Sequence, residues 1–220
     1  MRRLSTGFGP LDQVLDGGFP AGALTLIYGE AGSGKTIIAV SAIAQYLASN
    51  PGGKAYYIDA DGKLPIDLLL DLTGDEETLQ RLYIWRPQSL WEQTLIAERL
   101  PDLAHGEPIV FDSITGLYRL EAAEGAFRAN KELNHQLGFL AEAARRGGSP
   151  ILLLGQVHSI LEPPGGVEPV ADRLLRYWCS TILRLERVRD AIRRAVREKP
   201  KPERSCLYRI GQGGLMEADR

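Results

Sequence analysis

The chain alternates short apolar runs with longer stretches whose apolar positions recur at helical spacing. Residues 23–28 (ALTLIY) form an apolar run ending at Gly29, the pattern of a strand buried on both faces. Residues 36–49 have helical spacing and stop before Asn50-Pro51-Gly52-Gly53, a cluster that breaks any helix. Residues 54–60 (KAYYIDA) predict a second strand, with Asp59 and Asp61 at its end. A helix is predicted over 65–72, a strand over 81–85 and a helix over 90–103, followed by a turn at His105-Gly106. Residues 108–111 (PIVF) predict a buried strand closed by Asp112. Leu133, Leu137, Leu140 and Ala144 share one face of a long helix ending at Gly147-Gly148, and 151–154 form the next buried strand, leading to Gln156.

Strand and helix thus alternate five strands deep, which calls for an α/β fold with a mainly parallel sheet and helices on both faces. After Ser159 the pattern changes. A loop containing Pro163-Pro164-Gly165-Gly166 precedes three strand-like runs, 181–188, 191–197 and 206–210. Their turn signals, Arg189-Asp190 and residues 211–214, predict antiparallel additions at the sheet edge. No internal repeat, low-complexity tract or dividing linker interrupts the chain, so residues 1–220 are expected to form a single domain.

Between the first buried strand and the first long helix lies Gly29-Glu30-Ala31-Gly32-Ser33-Gly34-Lys35-Thr36, a G-x-x-x-x-G-K-[ST] sequence. In that context glycines let backbone N–H groups wrap phosphate oxygens, and the helix N-terminus adds its positive end. Lys35 is expected to neutralise β- and γ-phosphate charge and Thr36 to ligate Mg²⁺, making a nucleoside triphosphate with Mg²⁺ the expected ligand. Asp112, at the C-terminal end of an apolar strand, fits the Walker-B pattern and is expected to hold the same ion. Two further strand ends point toward this crevice. Asp61 is a candidate to orient the attacking water and Gln156 to sense the γ-phosphate; the alternatives are a turn-forming Asp beside Gly62 and a polar strand end.

Composition narrows the classes. Among 220 residues, 26 are basic and 28 acidic, a net charge of −2, which is not the balance of a globally basic nucleic-acid binder. No apolar run approaches the ~18 residues of a membrane helix, and the start of the chain shows no signal-peptide pattern. Cys179 and Cys206 form no CxxC pair, which excludes a disulfide framework and a Cys/His zinc site and fits a reducing cytoplasm. Cys179 is expected in the core, and Trp85 and Trp91 in helix–sheet packing. The charge is unevenly spread: residues 172–209 hold twelve basic and five acidic side chains, +7, leaving −9 for the rest. Within that segment Arg193, Arg197, Lys199 and Lys201 fall at odd positions and would project from one face of an extended strand, opposite Ile192 and Val196. Such a face either tracks phosphates or is an edge strand protected by charge.

Leu4-Ser5-Thr6-Gly7, Leu11-Asp12 and Leu15-Asp16-Gly17-Gly18, with Gly22, Thr25 and Gly29-Glu30, resemble the entry to the RecA/RadA recombinase core. Tyr57-Ile58-Asp59 and Val110 to Thr115 resemble that core's second strand and Walker-B segment. Gln156-Val157-His158, Leu175 to Leu185, Tyr208-Arg209-Ile210 and Gly214-Leu215 are similar to the archaeal RadA paralogues. The resemblance covers about residues 4–218 and implies a RecA-like P-loop NTPase core. It also implies two DNA-facing loops, here 114–126 and 158–172; Arg119 lies in the first with Arg128 just beyond it, and the second has no basic residue before Arg173.

Departures from the family matter as much. The recombinases carry a helix-hairpin-helix domain and a Phe-x-x-Ala motif ahead of the core; this sequence starts three residues ahead of it, and none of its five phenylalanines has Ala three positions on. A long filament is therefore not expected, whereas a homodimer is compatible. The catalytic Glu of the active recombinases is matched by Asp61, one methylene shorter, and a misplacement of ~1 Å costs about a hundredfold in rate. The Arg that stacks on adenine falls near Leu68. The resemblance thus implies an accessory protein of DNA repair and recombination that binds ATP, turns it over slowly or not at all, contacts single-stranded DNA, and has a RadA-type recombinase or another RecA-core paralogue as partner. Two alternatives bind no DNA: a KaiC-like signalling ATPase and an ATP-dependent interaction module.

Overall fold

Strand β1 (Arg3–Leu4) pairs antiparallel with β2 (Phe19–Pro20) around helix α1 (Gly9–Val14), in a computed structural model that describes residues 2–159, 167–189 and 191–218. Asp12 locks this entry, its carboxylate accepting from Thr6 N and Oγ1, both at 2.8 Å, and from Ser5 Oγ at 2.6 Å. The Ser-Thr-Gly of the sequence is thereby explained as the partner of an aspartate in α1.

The alternating part follows as β3 (Leu24–Gly29), α2 (Lys35–Ser49), β4 (Ala55–Asp59), α3 (Ile66–Thr73), α4 (Glu76–Leu79), β5 (Leu82–Trp85), α5 (Leu90–Leu103), β6 (Ile109–Asp112), α6 (Gly116–Gly147) and β7 (Ile151–Gly155). Helix α5 starts where Ser89 Oγ accepts from Glu92 N while Glu92 accepts from Gln88 N, a reciprocal cap at its first turn. Beyond it come β8 (Val157–Ser159), β9 (Val167–Pro169), α7 (Asp172–Trp178), β10 (Thr181–Arg189), β11 (Ile192–Lys199), β12 (Arg204–Gly211) and β13 (Gly214–Glu217).

Nine strands form one sheet in the order β13-β12-β11-β10-β3-β7-β6-β4-β5. The pairs from β10 through β3, β7, β6 and β4 to β5 are parallel, and those from β10 through β11 and β12 to β13 are antiparallel. Side chains alternate cleanly between two cores. Ile27, Tyr57, Val110, Leu152 and Leu154 face the side of α1 to α4, whereas Leu26, Ile58, Phe111 and Leu153 face α5, α6 and α7. This double burial is why these strands read as continuous apolar runs.

The expected α/β alternation and antiparallel C-terminal edge are both present, with refinements. The first of the three late runs, β10, joins the parallel set beside β3, and β13 and α7 were not foreseen. Residues 114–126, expected as a loop, are helical from Gly116 onward, with a break at Gly125 (φ −171°, ψ 91°). Of the second expected loop, residues 160–166 lie outside the described residues, as does Asp190 of the expected turn. Cys179 is buried as expected, and Trp85 stacks on Tyr56 at 5.5 Å, but Trp91 is 62% exposed rather than packed away.

Candidate functional site

Strand β3 delivers Gly29 at the C-terminal edge of the sheet, and residues 29–36 turn there into the first turn of α2. Gly34 is the N-cap at φ +100°, a conformation that favours glycine, and a Cβ there would lie 2.8 Å from Ile210 Cδ1. The Lys35 ammonium lies along the loop, donating to Gly29 O at 2.8 Å and Glu30 O at 3.0 Å. Burial lowers its pKa, against the opposing pull of Asp112 and Asp61. Ser33 Oγ is buried in the loop with no hydrogen-bond partner among the described residues.

Thr36 Oγ1 donates to Asp112 Oδ2 at 2.7 Å, which brings together two residues 76 positions apart. Tyr57 OH donates to the same oxygen at 2.8 Å. Asp112 is only 5% exposed; burial pushes its carboxyl up, while the hydroxyls of Thr36 and Tyr57 work the other way. Hydroxyl and carboxylate oxygens are the hard donors that Mg²⁺ takes. Among the described residues no group of three or more His, Cys, Asp and Glu side chains could hold a metal ion. An ion at Thr36 and Asp112 would therefore complete its shell from phosphate and water, as Mg²⁺ habitually does at phosphate sites. The donor set fits the group.

Asp61 and Gln156, proposed from different strand ends, meet beside this pair. Gln156 Nε2 donates to Asp61 Oδ2 at 3.2 Å and to Ser113 Oγ at 3.3 Å, and Ser113 Oγ donates to Asp61 Oδ1 at 3.1 Å. The backbone holds them in place: Asp61 N donates to Asp112 O, and Gln156 N to Thr115 Oγ1 at 2.9 Å. A Cβ at Gly116 would sit 2.4 Å from Asp61 Oδ1, so a side chain at the start of α6 would have to displace this carboxylate. Ser113, Thr115, Gly116 and Tyr57 were not among the sequence candidates. The first three lie in the Val110 to Thr115 segment or directly after it, and Tyr57 shares a strand face with Asp59. Asp59 is structural: its buried carboxylate accepts from Lys63 N, Leu64 N and Arg86 Nε.

The basic candidates are scattered rather than lined up. Arg119 Nη1 donates to Gln156 Oε1 at 2.8 Å, so it belongs to the Asp61 cluster. Arg128 is largely exposed and pairs with Glu121 at 3.3 Å. On β11 the expectation of one basic face fails. Register runs from Ile182 opposite Lys199 to Leu183 opposite Arg197, a bulge that leaves Glu198 as the extra residue. Arg197 and Lys199 consequently reach opposite sides of the sheet. Arg197 is 3% exposed and pairs with Asp16 beyond α1, where the guanidiniums of Arg197 and Arg204 hold the Asp16 carboxyl below its usual range. Lys199 Nζ donates to Cys179 O at 2.6 Å and Arg176 O at 3.2 Å at the end of α7. Arg193 Nε donates to Gly32 O at 3.0 Å, inside the phosphate loop. Lys201 remains exposed beside Glu203. Arg187, Arg189 and Arg194 are exposed instead, on the part of the β10–β11 hairpin that runs on past Gly29.

Comparison with known proteins places these features in context. A model of the Rad51 family matches residues 1–218. The DNA repair and recombination protein RadB of Methanococcus maripaludis is 33% identical over 213 residues, covering 93% of this chain and 96% of that protein. RadB of Thermococcus onnurineus is 34% identical over 223 residues, 96% of each chain. A crystal structure of the RadB recombinase superposes with a TM-score of 0.83 at 32% identity, covering 98% of this chain and all of that one.

Proposed function

The chain belongs to the Rad51 family, and from that premise we propose that it is an ATP-binding accessory protein of DNA repair and homologous recombination. In this reading it binds DNA, assists or modulates a RadA-type recombinase or another RecA-core paralogue, and hydrolyses ATP slowly or not at all. Its place is the cytoplasm; among the described residues no helix is long and apolar enough to cross a membrane.

The observation that carries the reading is the Thr36–Asp112 hydrogen bond beneath the glycine-rich loop. Residues 29–36 supply backbone N–H groups and a helix N-terminus for phosphate oxygens, and Lys35 supplies charge once it leaves the loop carbonyls. Thr36 and Asp112 would hold Mg²⁺, which offsets charge on the β- and γ-phosphates. Asp61 is assigned to water and Gln156 to the γ-phosphate. Slow turnover is supported by their own contacts, since both Asp61 oxygens accept hydrogen bonds from Ser113 and Gln156. Those hydrogen bonds occupy acceptor positions that Asp61 would need to orient a water.

Nucleotide control follows from where these residues sit. Gln156 precedes β8 and the 160–166 segment, and Ser113 precedes α6, so Mg·ATP acts on both regions assigned to DNA. Of the DNA candidates, Arg128 and Lys201 remain exposed, and the hairpin arginines Arg187, Arg189 and Arg194 join them. The burial or internal pairing of Arg119, Arg193, Arg197 and Lys199 favours the second reading, an ATP-dependent interaction module without DNA. ATP turnover measured with and without single-stranded DNA separates the two. Slow turnover that DNA stimulates supports the first; tight ATP binding with no response to DNA supports the second.

A further inference from the structure

The C-terminal antiparallel strands do more than extend the sheet. Strand β10 pairs with β3 up to Leu185 opposite Gly29, so residues 186–189 and their partner β11 run on past the phosphate loop. From there two side chains hold consecutive loop carbonyls. Arg193 Nε donates to Gly32 O at 3.0 Å, and Tyr208 OH, from β12, donates to Ser33 O at 2.6 Å. Tyr208 is 1% exposed and its ring belongs to the α1-to-α4 core, so the hydroxyl is carried on a fixed arm.

We propose that Tyr208 and Arg193 are positioning residues of the phosphate loop: Tyr208 holds the Ser33 carbonyl outward so that the Gly34 N–H faces a nucleoside di- or triphosphate, and Arg193, on the Gly32 carbonyl, fixes the shape of the loop beside it. This rests on the nucleotide reading above. In a planar trans peptide the carbonyl and the next N–H point in opposite directions. With Ser33 O fixed on Tyr208, the Gly34 N–H is turned to the other side of the loop. Glycine at φ +100° gives Gly34 the freedom this turn needs, and the same freedom permits the Ser33–Gly34 peptide to flip. A flip would aim a carbonyl oxygen at the phosphate and remove a donor from it. The Tyr208 hydroxyl opposes the flip. Ile210, whose Cδ1 lies 2.8 Å from where a Gly34 Cβ would be, closes the loop from the same strand. Arg193 acts one peptide earlier, where Ser33 N already donates to Glu30 O. Both ends of the Gly32–Ser33 peptide are thus tied.

Tyr208→Phe removes the hydroxyl and keeps the ring, and Arg193→Ala changes only a partly exposed side chain. Calorimetric titration with Mg·ATP and Mg·ADP, alongside the ³¹P spectrum of bound ADP, reads the cradle directly. Tyr208→Phe is expected to weaken both nucleotides about five- to tenfold, the equivalent of one hydrogen bond, and to shift the β-phosphate resonance. Arg193→Ala is expected to act in the same direction. Lowered thermal stability with wild-type affinities and an unmoved resonance would mean a merely structural role and overturn the proposal. Lys35→Ala separates the two levels. If it abolishes binding while Tyr208→Phe and Arg193→Ala bind as the wild type does, the brace is refuted and the nucleotide site stands. If the wild-type protein binds neither nucleotide, site and brace fall together.

Discussion

Thr36 and Asp112 touch across 76 residues of sequence, and each was recognisable from its local setting, a glycine-rich turn for one and the end of an apolar strand for the other. Lys35→Ala is expected to abolish ATP binding and leave the circular dichroism spectrum unchanged; unaltered affinity would remove the phosphate-loop assignment. The contacts of Asp61 were harder to foresee, because they depend on Ser113 and Gln156 arriving from other strands. The fate of Arg197 was hidden for a different reason: parity along a strand predicts its face only when no bulge intervenes. Burial also governs the two thiols, pushing Cys179 up to about 12 and Cys206 up to about 11 from an ordinary 9.0. Both are expected to resist iodoacetamide at pH 8 in the native protein and to react in denaturant. Because these folded-state values are raised, the thiols' contribution to stability is complete below pH 9.0 and lost as pH rises through about 11 to 12. Alkaline unfolding beginning well below pH 9 would point to other groups.

Among the elements, the buried parallel strands were the most predictable, since burial on both faces leaves an unbroken apolar signature. The start of α6 was not. Residues 114–126 were expected as a loop from the family resemblance alone, yet they are helical from Gly116, where glycine admits the Asp61 carboxylate. Gly116→Ala is expected to cost about 1–3 kcal/mol in denaturant unfolding through the clash of its Cβ with Asp61, as overpacking usually does. A neutral result would show that Asp61 moves freely, contradicting its tight setting. The β10–β11 hairpin makes a complementary prediction. Replacing Arg187, Arg189 and Arg194 with Gln is expected to weaken single-stranded DNA binding alike for different sequences and to flatten its salt dependence by ~0.7 in logarithmic slope per lost phosphate contact. Arg197→Ala is expected to lower the unfolding temperature and leave the slope of any residual binding unchanged, because its guanidinium is buried against Asp16.

Over the whole molecule, a net charge of −2 conceals an acidic body of −9 and a C-terminal segment of +7. The structure gives that division a shape without making it a basic stripe. Much of the positive charge is spent inside, on Asp16, Asp172, Glu198 and the phosphate loop, leaving the hairpin beyond Gly29 and scattered exposed side chains for a polyanion. The mainly parallel sheet with its antiparallel C-terminal edge was anticipated from the alternation of elements and the turn signals, and kinship to the recombinase core from short motifs spread over nearly the full length; the strand order was not. What single residues could not reveal was how the C-terminal strands reach back to the nucleotide site, since that depends on register. In the proposed function, Mg·ATP governs the protein's hold on DNA. Fluorescence anisotropy of a labelled single-stranded oligonucleotide, titrated with the protein in the presence and absence of Mg·ATP, measures it most directly. Tighter, salt-sensitive binding with Mg·ATP is the expected result; no binding at low salt, or the same affinity with and without nucleotide, would contradict it.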